Sequence, residues 1–207
     1  MPDDVAQRFV QAFDDRLWED KESLSGPGST LSYTSELRLT LPGLIRALGC
    51  KSMLDAPCGD FNWMRKVNLK GIDYIGADIV PAMIEDLRVK YPKHRFEVLD
   101  ITQGPFPKVD FMLCRDVLFH LSHSDIVKVL QNFVQSGSEW FATSHYFQVQ
   151  AMEDVKSDPK TFRPVNLTLA PFHFEHPDYV LKDCTPQFLR RWLGVWHRSW
   201  IAARFAP

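Results

Sequence analysis

The chain has 207 residues, 45% hydrophobic and 13% aromatic, enough to bury one full core and too few for a second independent domain. Lys and Arg total 24 against 26 Asp and Glu with the signs interspersed, so the clustered basic face that nucleic-acid binding requires is excluded. Four cysteines without a Cys-x-x-Cys pair predict reduced thiols in the cytoplasm, and an acidic start with no apolar run of membrane length predicts neither a signal peptide nor a membrane partner.

Val5, Phe9, Phe13 and Leu17 recur every four residues and predict an amphipathic helix, followed by a turn-rich loop from Ser23 to Ser29. Such a stripe either caps a site or packs on a sheet. Leu37, Leu41, Leu44, Ile45 and Leu48 predict a second helix ending near Gly49, with Pro42 implying a kink or a fresh start capped by Thr40. Next, Ser52-Met53-Leu54 reads as a short strand entering the turn Asp55-Ala56-Pro57-Cys58-Gly59-Asp60. A helix is expected after it, and Tyr74-Ile75-Gly76-Ala77-Asp78 reads as a strand ending on a carboxylate. That order suits a nucleoside, with Asp78 on the ribose hydroxyls. A pyrophosphate would need more than the one glycine in this turn, and Asp55 and Asp60 would repel phosphate while attracting ammonium or sulfonium.

Pro81 suits a first helical turn, Ile84 and Leu87 supply one face, and Pro92 stops that helix. Arg95 to Leu99 reads as the third strand, with Asp100 behind it, and Cys114 falls at the end of the fourth. Ser122 and Asp125 form a capping pair before a helix that Gly137 ends, and Trp140 to Ser144 reads as the fifth strand. The alternation predicts a parallel sheet with right-handed crossovers and ligands at the carboxyl ends of the strands. Beyond His145, prolines at 159, 164, 171, 177 and 186 replace the helical repeats. Phe162, Leu167, Leu169, Phe172 and Phe174 are too apolar for a disordered linker, so residues 148–177 are expected to form an ordered insertion over an acceptor. Tyr179-Val180-Leu181 and Leu193-Gly194-Val195-Trp196 predict the last strands, with Arg190, Arg191, Arg198 and Arg204 decorating a terminal strand or its solvent face.

The segments from Ser52 to Asp60 and from Tyr74 to Asp78 resemble motifs I and II of the class I S-adenosylmethionine-dependent methyltransferases. Asp100 holds the third-strand position, and Cys114-Arg115-Asp116-Val117-Leu118-Phe119-His120-Leu121-Ser122 is similar to the fourth-strand exit of that family. Ser25-Gly26-Pro27-Gly28-Ser29-Thr30, Arg163-Pro164-Val165-Asn166-Leu167 and Ala170-Pro171-Phe172-His173-Phe174 resemble one small bacterial branch of it, so the likeness covers most of the chain. Pro57 departs from the pattern, since many relatives carry a second glycine there.

The resemblance implies an α/β, Rossmann-like doubly wound, mostly parallel seven-stranded sheet with helices on both faces and an antiparallel edge strand. It implies one methyltransferase domain over 1–207: a helical cap (1–49), a cofactor-binding core (50–147), the acceptor-covering insertion (148–177) and terminal strands (178–207). S-adenosylmethionine is the implied cofactor, and its sulfonium and ammonium suit the acidic turn. Asp55, Ala56, Pro57 and Gly59 would lie beneath the methionine part, Asp78 on the ribose, Ile79 on the adenine face, Asp100 and Ile101 at adenine, and Arg115 at the fourth-strand exit. Arg38 is either a partner for the cofactor carboxylate or a surface helix arginine. Trp63 either walls the site or fills core.

Methyl transfer is an in-line displacement, so the protein aligns the acceptor, removes water and supplies a base when the nucleophile is protonated. His145, just past the fifth strand, is the first candidate for that base. Asp116 and His120, just past the fourth, could converge with it, and His173 with Glu175 and His176 could close over the crevice. Each has a plainer role available, in backbone bonding or in the core. A divalent metal such as magnesium on Asp116, His145, Glu175 and His176 stays open, although no spacing is diagnostic of a metal and none suits zinc. No Asn-Pro-Pro-Tyr or Asp-Pro-Pro-Tyr follows the fourth strand, which favours oxygen over nitrogen in a small or medium acceptor, a sugar among the candidates. The rivals are an N-methyltransferase of a small molecule or peptide, a nicotinamide reductase, which the missing Gly-x-Gly-x-x-Gly disfavours, and a non-catalytic nucleoside-binding protein. Trp192, Trp196 and Trp200 either pack within the edge strands or form a homodimer surface.

Overall fold

The computed structural model describes residues 5–185 and 190–205; residues 1–4 and Pro186, which entered the sequence expectations, lie outside them. The described residues form seven strands: β1 (Ser52–Asp55), β2 (Asp73–Asp78), β3 (Arg95–Val98), β4 (Phe111–Cys114), β5 (Trp140–His145), β6 (Tyr179–Lys182) and β7 (Trp192–His197). They form one sheet in the order β3-β2-β1-β4-β5-β7-β6. The first five are parallel, and β7 runs antiparallel between β5 and β6, one place in from the edge. Every residue of β4 is buried, the apolar run expected of a parallel strand covered on both faces.

The helices are α1 (Val5–Asp14), α2 (Ser35–Ala47), α3 (Pro81–Lys90), α4 (His123–Ser136) and α5 (Arg198–Phe205). Leu37, Leu41 and Ile45 of α2 pack with Met83, Ile84 and Leu87 of α3 on one face of the sheet. Ile126, Val129, Leu130 and Phe133 of α4 cover the other, with Ile201 of α5 and with Val165, Leu167, Phe172 and Phe174 of the insertion. The expected capping of α4 is present: the Asp125 amide donates to Ser122 Oγ at 3.2 Å, and Gly137 takes a left-handed φ of 71° at the other end.

Three local expectations are corrected. Pro42 neither kinks α2 into two helices nor restarts it, and Thr40 donates its hydroxyl back to the Glu36 carbonyl at 3.0 Å instead of capping. An internal proline costs about 3 kcal/mol, while Leu37, Leu41 and Ile45, essentially fully buried on one stripe, each return about 1.5–3 kcal/mol, so packing wins. No α-helix follows β1; a single 3₁₀ turn, Met64–Lys66, stands in its place. Phe61 takes a left-handed φ of 59° that interrupts any helical run and sends its ring against Tyr74, Tyr91 and Phe96, at 5.3, 5.2 and 5.2 Å between centroids. Lastly, Arg198 and Arg204 belong to α5 and not to a terminal strand, and Arg191 is buried.

Candidate active site

A cavity of about 720 Å³ opens at the carboxyl ends of β1, β2 and β4 and runs outward beneath α1. Its inner lobe is built on two carboxylates. Asp55, at the end of β1, accepts the Tyr74 hydroxyl at 2.8 Å, and burial pushes its carboxyl up to about 7. Asp78, at the end of β2, accepts the amides of Gly59 and Val80 at 3.1 and 3.2 Å, and burial pushes it up to about 6. Neither has an ion-pair partner among the described residues. Two buried carboxyls without a cation call for a ligand that brings a positive charge and hydroxyl donors. Ile79, Leu99 and Ile101 form an apolar slot beside Asp78, with Asp100 at its rim. That donor set fits S-adenosylmethionine: cations for Asp55, ribose hydroxyls for Asp78, and a flat apolar slot for adenine.

Gly59 is required where it stands. Its φ is 56°, and a Cβ would come within 2.2 Å of Ser25 Oγ. The segment 23–29 straps onto this turn: Ser23 Oγ donates to Asp60 at 3.0 Å, the Leu24 amide donates to it at 2.8 Å, and the Asp60 amide donates to Ser25 Oγ at 2.9 Å. Asp60 therefore holds the strap.

The outer lobe has closed electrostatics. The Arg115 Nε and Nη2 donate to Asp183 at 3.0 and 2.9 Å, and its Nη1 pairs with Asp116 at 3.0 Å. Arg191 pairs with the same two carboxylates, its Nη2 donating to Asp183 at 3.2 Å and its Nη1 to Asp116. Ser144 Oγ donates to Asp116 at 2.8 Å. Two guanidinium and two carboxylate groups thus neutralise one another. Although burial opposes ionisation of Asp116, the two arginines and the Ser144 hydroxyl hold its carboxyl below the usual range. The guanidinium groups also lie over Trp63 (Arg115, 5.2 Å) and Tyr33 (Arg191, 4.7 Å). Gly28 packs so closely that a Cβ would meet Asp116 Oδ2 at 2.9 Å.

His120 faces this lobe from the turn after β4, ringed by Phe119, Trp18 and Phe9 at centroid distances of 4.5, 5.7 and 6.1 Å. Its Nδ1 bonds the Thr161 carbonyl. Burial lowers its pKa, the strongest of the influences on it.

The cavity brings together Asp55, Pro57, Gly59, Trp63, Asp78, Ile79, Asp100, Ile101, Arg115, Asp116 and His120 from the sequence-derived set. Four others lie elsewhere. Ala56 is fully buried, its amide donating to the Leu113 carbonyl, and the half-buried Arg38 of α2 donates to the Leu31 carbonyl at 2.8 Å. His173 is exposed. His145 is removed from the candidate bases: it is fully buried outside the cavity, accepts the Leu167 amide at Nε2 (3.1 Å) and contacts Phe147 and Trp196. Strand alternation explains this, because Ser144 points at Asp116 and the next side chain must point to the opposite face. Burial drives His145 down to about 4. Asp116, His145, Glu175 and His176 do not converge, and no group of three His, Cys, Asp or Glu among the described residues could hold a metal ion. The sequence did not signal Arg191 or Asp183, which meet the fourth-strand exit only through the β6 to β7 connection. Nor did it signal Tyr33 in the cavity wall. Among the described residues no helix is long and apolar enough to cross a membrane, and all four cysteines are free thiols.

A family model described as a methyltransferase domain matches residues 53–139. No curated protein sequence matches the chain. Among solved structures, magnesium protoporphyrin IX methyltransferase from Synechocystis PCC 6803, with S-adenosylhomocysteine bound, superposes with a TM-score of 0.62 at 14% identity, covering 94% of this chain and 98% of that one. The 1,6-didemethyltoxoflavin-N1-methyltransferase of Burkholderia thailandensis, bound to 1,6-didemethyltoxoflavin and S-adenosylhomocysteine, gives 0.62 at 14% identity, covering 93% and 86%. A SAM-dependent methyltransferase from Methanosarcina mazei gives 0.53 at 13% identity, covering 71% and 92%. At these identities the likeness is one of fold.

Proposed function

We propose that the chain is a class I S-adenosylmethionine-dependent methyltransferase and that it methylates a hydroxyl oxygen of a small acceptor with His120 as the general base; the methyltransferase-domain model over residues 53–139 and the fold it shares with methyltransferases support the first part. The tautomer of His120 carries the proposal. A carbonyl can only accept, so the bond to Thr161 requires the proton on Nδ1 and leaves the basic lone pair on Nε2 of a side chain that lines the cavity. Burial keeps the ring neutral at neutral pH, as a base must be.

S-adenosylmethionine, when bound, supplies an electrophilic methyl group on a sulfonium. Asp78 would hold the ribose hydroxyls and Asp55 would balance the positive end, with Ile79 and Ile101 available to the adenine. The aromatic walls exclude water and fix the acceptor oxygen in line. His120 then takes the hydroxyl proton at Nε2 as that oxygen forms its new bond to carbon. Asp116, held ionised by two arginines, keeps the fourth-strand exit in place and is too weakly basic to take the proton itself. In His120→Gln we expect turnover to fall by about 10²–10⁴-fold while the affinity for S-adenosylhomocysteine stays within about twofold. A variant that keeps near-normal turnover would remove His120 from the role.

A further inference from the structure

We propose that the acceptor is a planar aromatic alcohol, held by its ring between Trp18, Phe9 and Phe162 with its hydroxyl at Nε2 of His120. This inference rests on the methyltransferase function proposed above and names the substrate class for it. The first ground is the shape and chemistry of the outer lobe. Phe119 lies edge-on to His120 on one side and to Phe162 on the other, at 4.5 and 5.0 Å, while Trp18 and Phe9 close the opposite side. Phe162 is 55% exposed at the mouth, so an aromatic surface stands open there for a flat ring to cover.

The second ground is the polar inventory of that lobe. Arg115, Arg191, Asp116 and Asp183 satisfy one another and the Tyr146 hydroxyl bonds Arg191, while Glu19, Tyr33 and Lys160 also line the cavity. Ser25 Oγ is taken by the Asp60 amide. A saccharide brings several hydroxyls besides the reacting one, and each buried without a partner costs about 1–3 kcal/mol. An aromatic alcohol brings one, and His120 Nε2 receives it. Acidity points the same way: phenolic hydroxyls ionise near 10, as tyrosine does, whereas alkyl hydroxyls stay far more basic, near water at about 15.7. A buried, neutral imidazole matches the former. The step balances: the phenolic proton passes to Nε2, the oxygen forms a bond to the methyl carbon, and the carbon–sulfur bond breaks with its electron pair staying on sulfur.

The test has two arms on the full-length protein. In the first, protein saturated with S-adenosylhomocysteine is titrated with phenol, 2-naphthol and methyl α-glucoside, following tryptophan fluorescence and heat. In the second, transfer of labelled methyl from S-adenosylmethionine to the same compounds is measured for the native chain, Trp18→Ala and Phe162→Ala. We expect saturable binding and methylation of the aryl alcohols only, with KM rising about tenfold in Trp18→Ala and kcat nearly unchanged, since an aromatic contact is worth up to about that factor. Phe162→Ala, at an exposed position, guards against misfolding and should shift KM in the same direction. Methylation of the glucoside, or no binding of any aryl alcohol to the S-adenosylhomocysteine-saturated protein, would overturn the substrate class and leave the methyltransferase function standing. Failure of S-adenosylhomocysteine itself to bind would overturn both.

Discussion

The two lobes of the cavity use aspartate in opposite ways. In the inner lobe Asp55 and Asp78 are buried without a cation, and desolvation raises both carboxyls. In the outer lobe Asp116 is clasped by Arg115 and Arg191 and is held below its ordinary value. Charge left open marks where a ligand must complete the electrostatics, and charge closed on itself marks scaffold. On the proposed function, the cofactor belongs to the inner lobe, and shape and His120 govern the outer one.

The largest effect should come from opening the closed network. Arg191→Met would leave Asp116 and Asp183 with one guanidinium between them, and breaking a buried ion pair costs about 3–5 kcal/mol. Urea unfolding should show that loss; a loss below about 1 kcal/mol would mean the network is not scaffold. Next, Asp78→Ala should weaken S-adenosylhomocysteine binding about 100-fold, the worth of two hydroxyl bonds to a charged acceptor, and should cost stability as well through the Gly59 and Val80 amides left without an acceptor.

The pH dependence sharpens the contrast. Cofactor cations and ribose hydroxyls favour ionised Asp55 and Asp78, so affinity for S-adenosylmethionine should rise as pH increases through about 6 to 7, with protons released on binding. For the ligand-free fold the sign reverses. Both carboxyls are raised above their unfolded values, so their contribution is present at low pH and is lost as pH rises through 6 to 7. Titration in buffers of different ionisation enthalpy would read the first, and urea midpoints at pH 5.5 and 8 the second. The smallest effect on function belongs to His145: His145→Ala should cost about 1–3 kcal/mol of stability through the unpaired Leu167 amide and leave kcat within about twofold.

Much of the inner lobe was legible because it is local. Asp55, Gly59, Asp78 and Asp100 each sit at a strand end whose apolar run and following turn can be read directly. The alternation of strands and helices likewise implied the parallel sheet. What escaped depends on tertiary pairing. Arg191 reaches Asp116 across 75 residues of sequence, and nothing near it distinguishes a buried ion pair from a solvent-facing arginine. The helix expected after β1 gave way because burying Phe61 among Tyr74, Tyr91 and Phe96 outweighed local propensity. His145 misled because a strand end fixes position along the chain but a shift of one residue reverses the face. His120 was named among the candidates, yet its tautomer depends on Thr161 in the insertion, 41 residues away.

Calorimetric titration with S-adenosylhomocysteine, run in parallel on the native protein, Asp78→Ala and His120→Gln, tests the division of labour most directly. Micromolar affinity in the native chain and in His120→Gln, with loss of about two orders of magnitude in Asp78→Ala, is the result predicted here. No binding to the native chain, or equal weakening by the two substitutions, would contradict it.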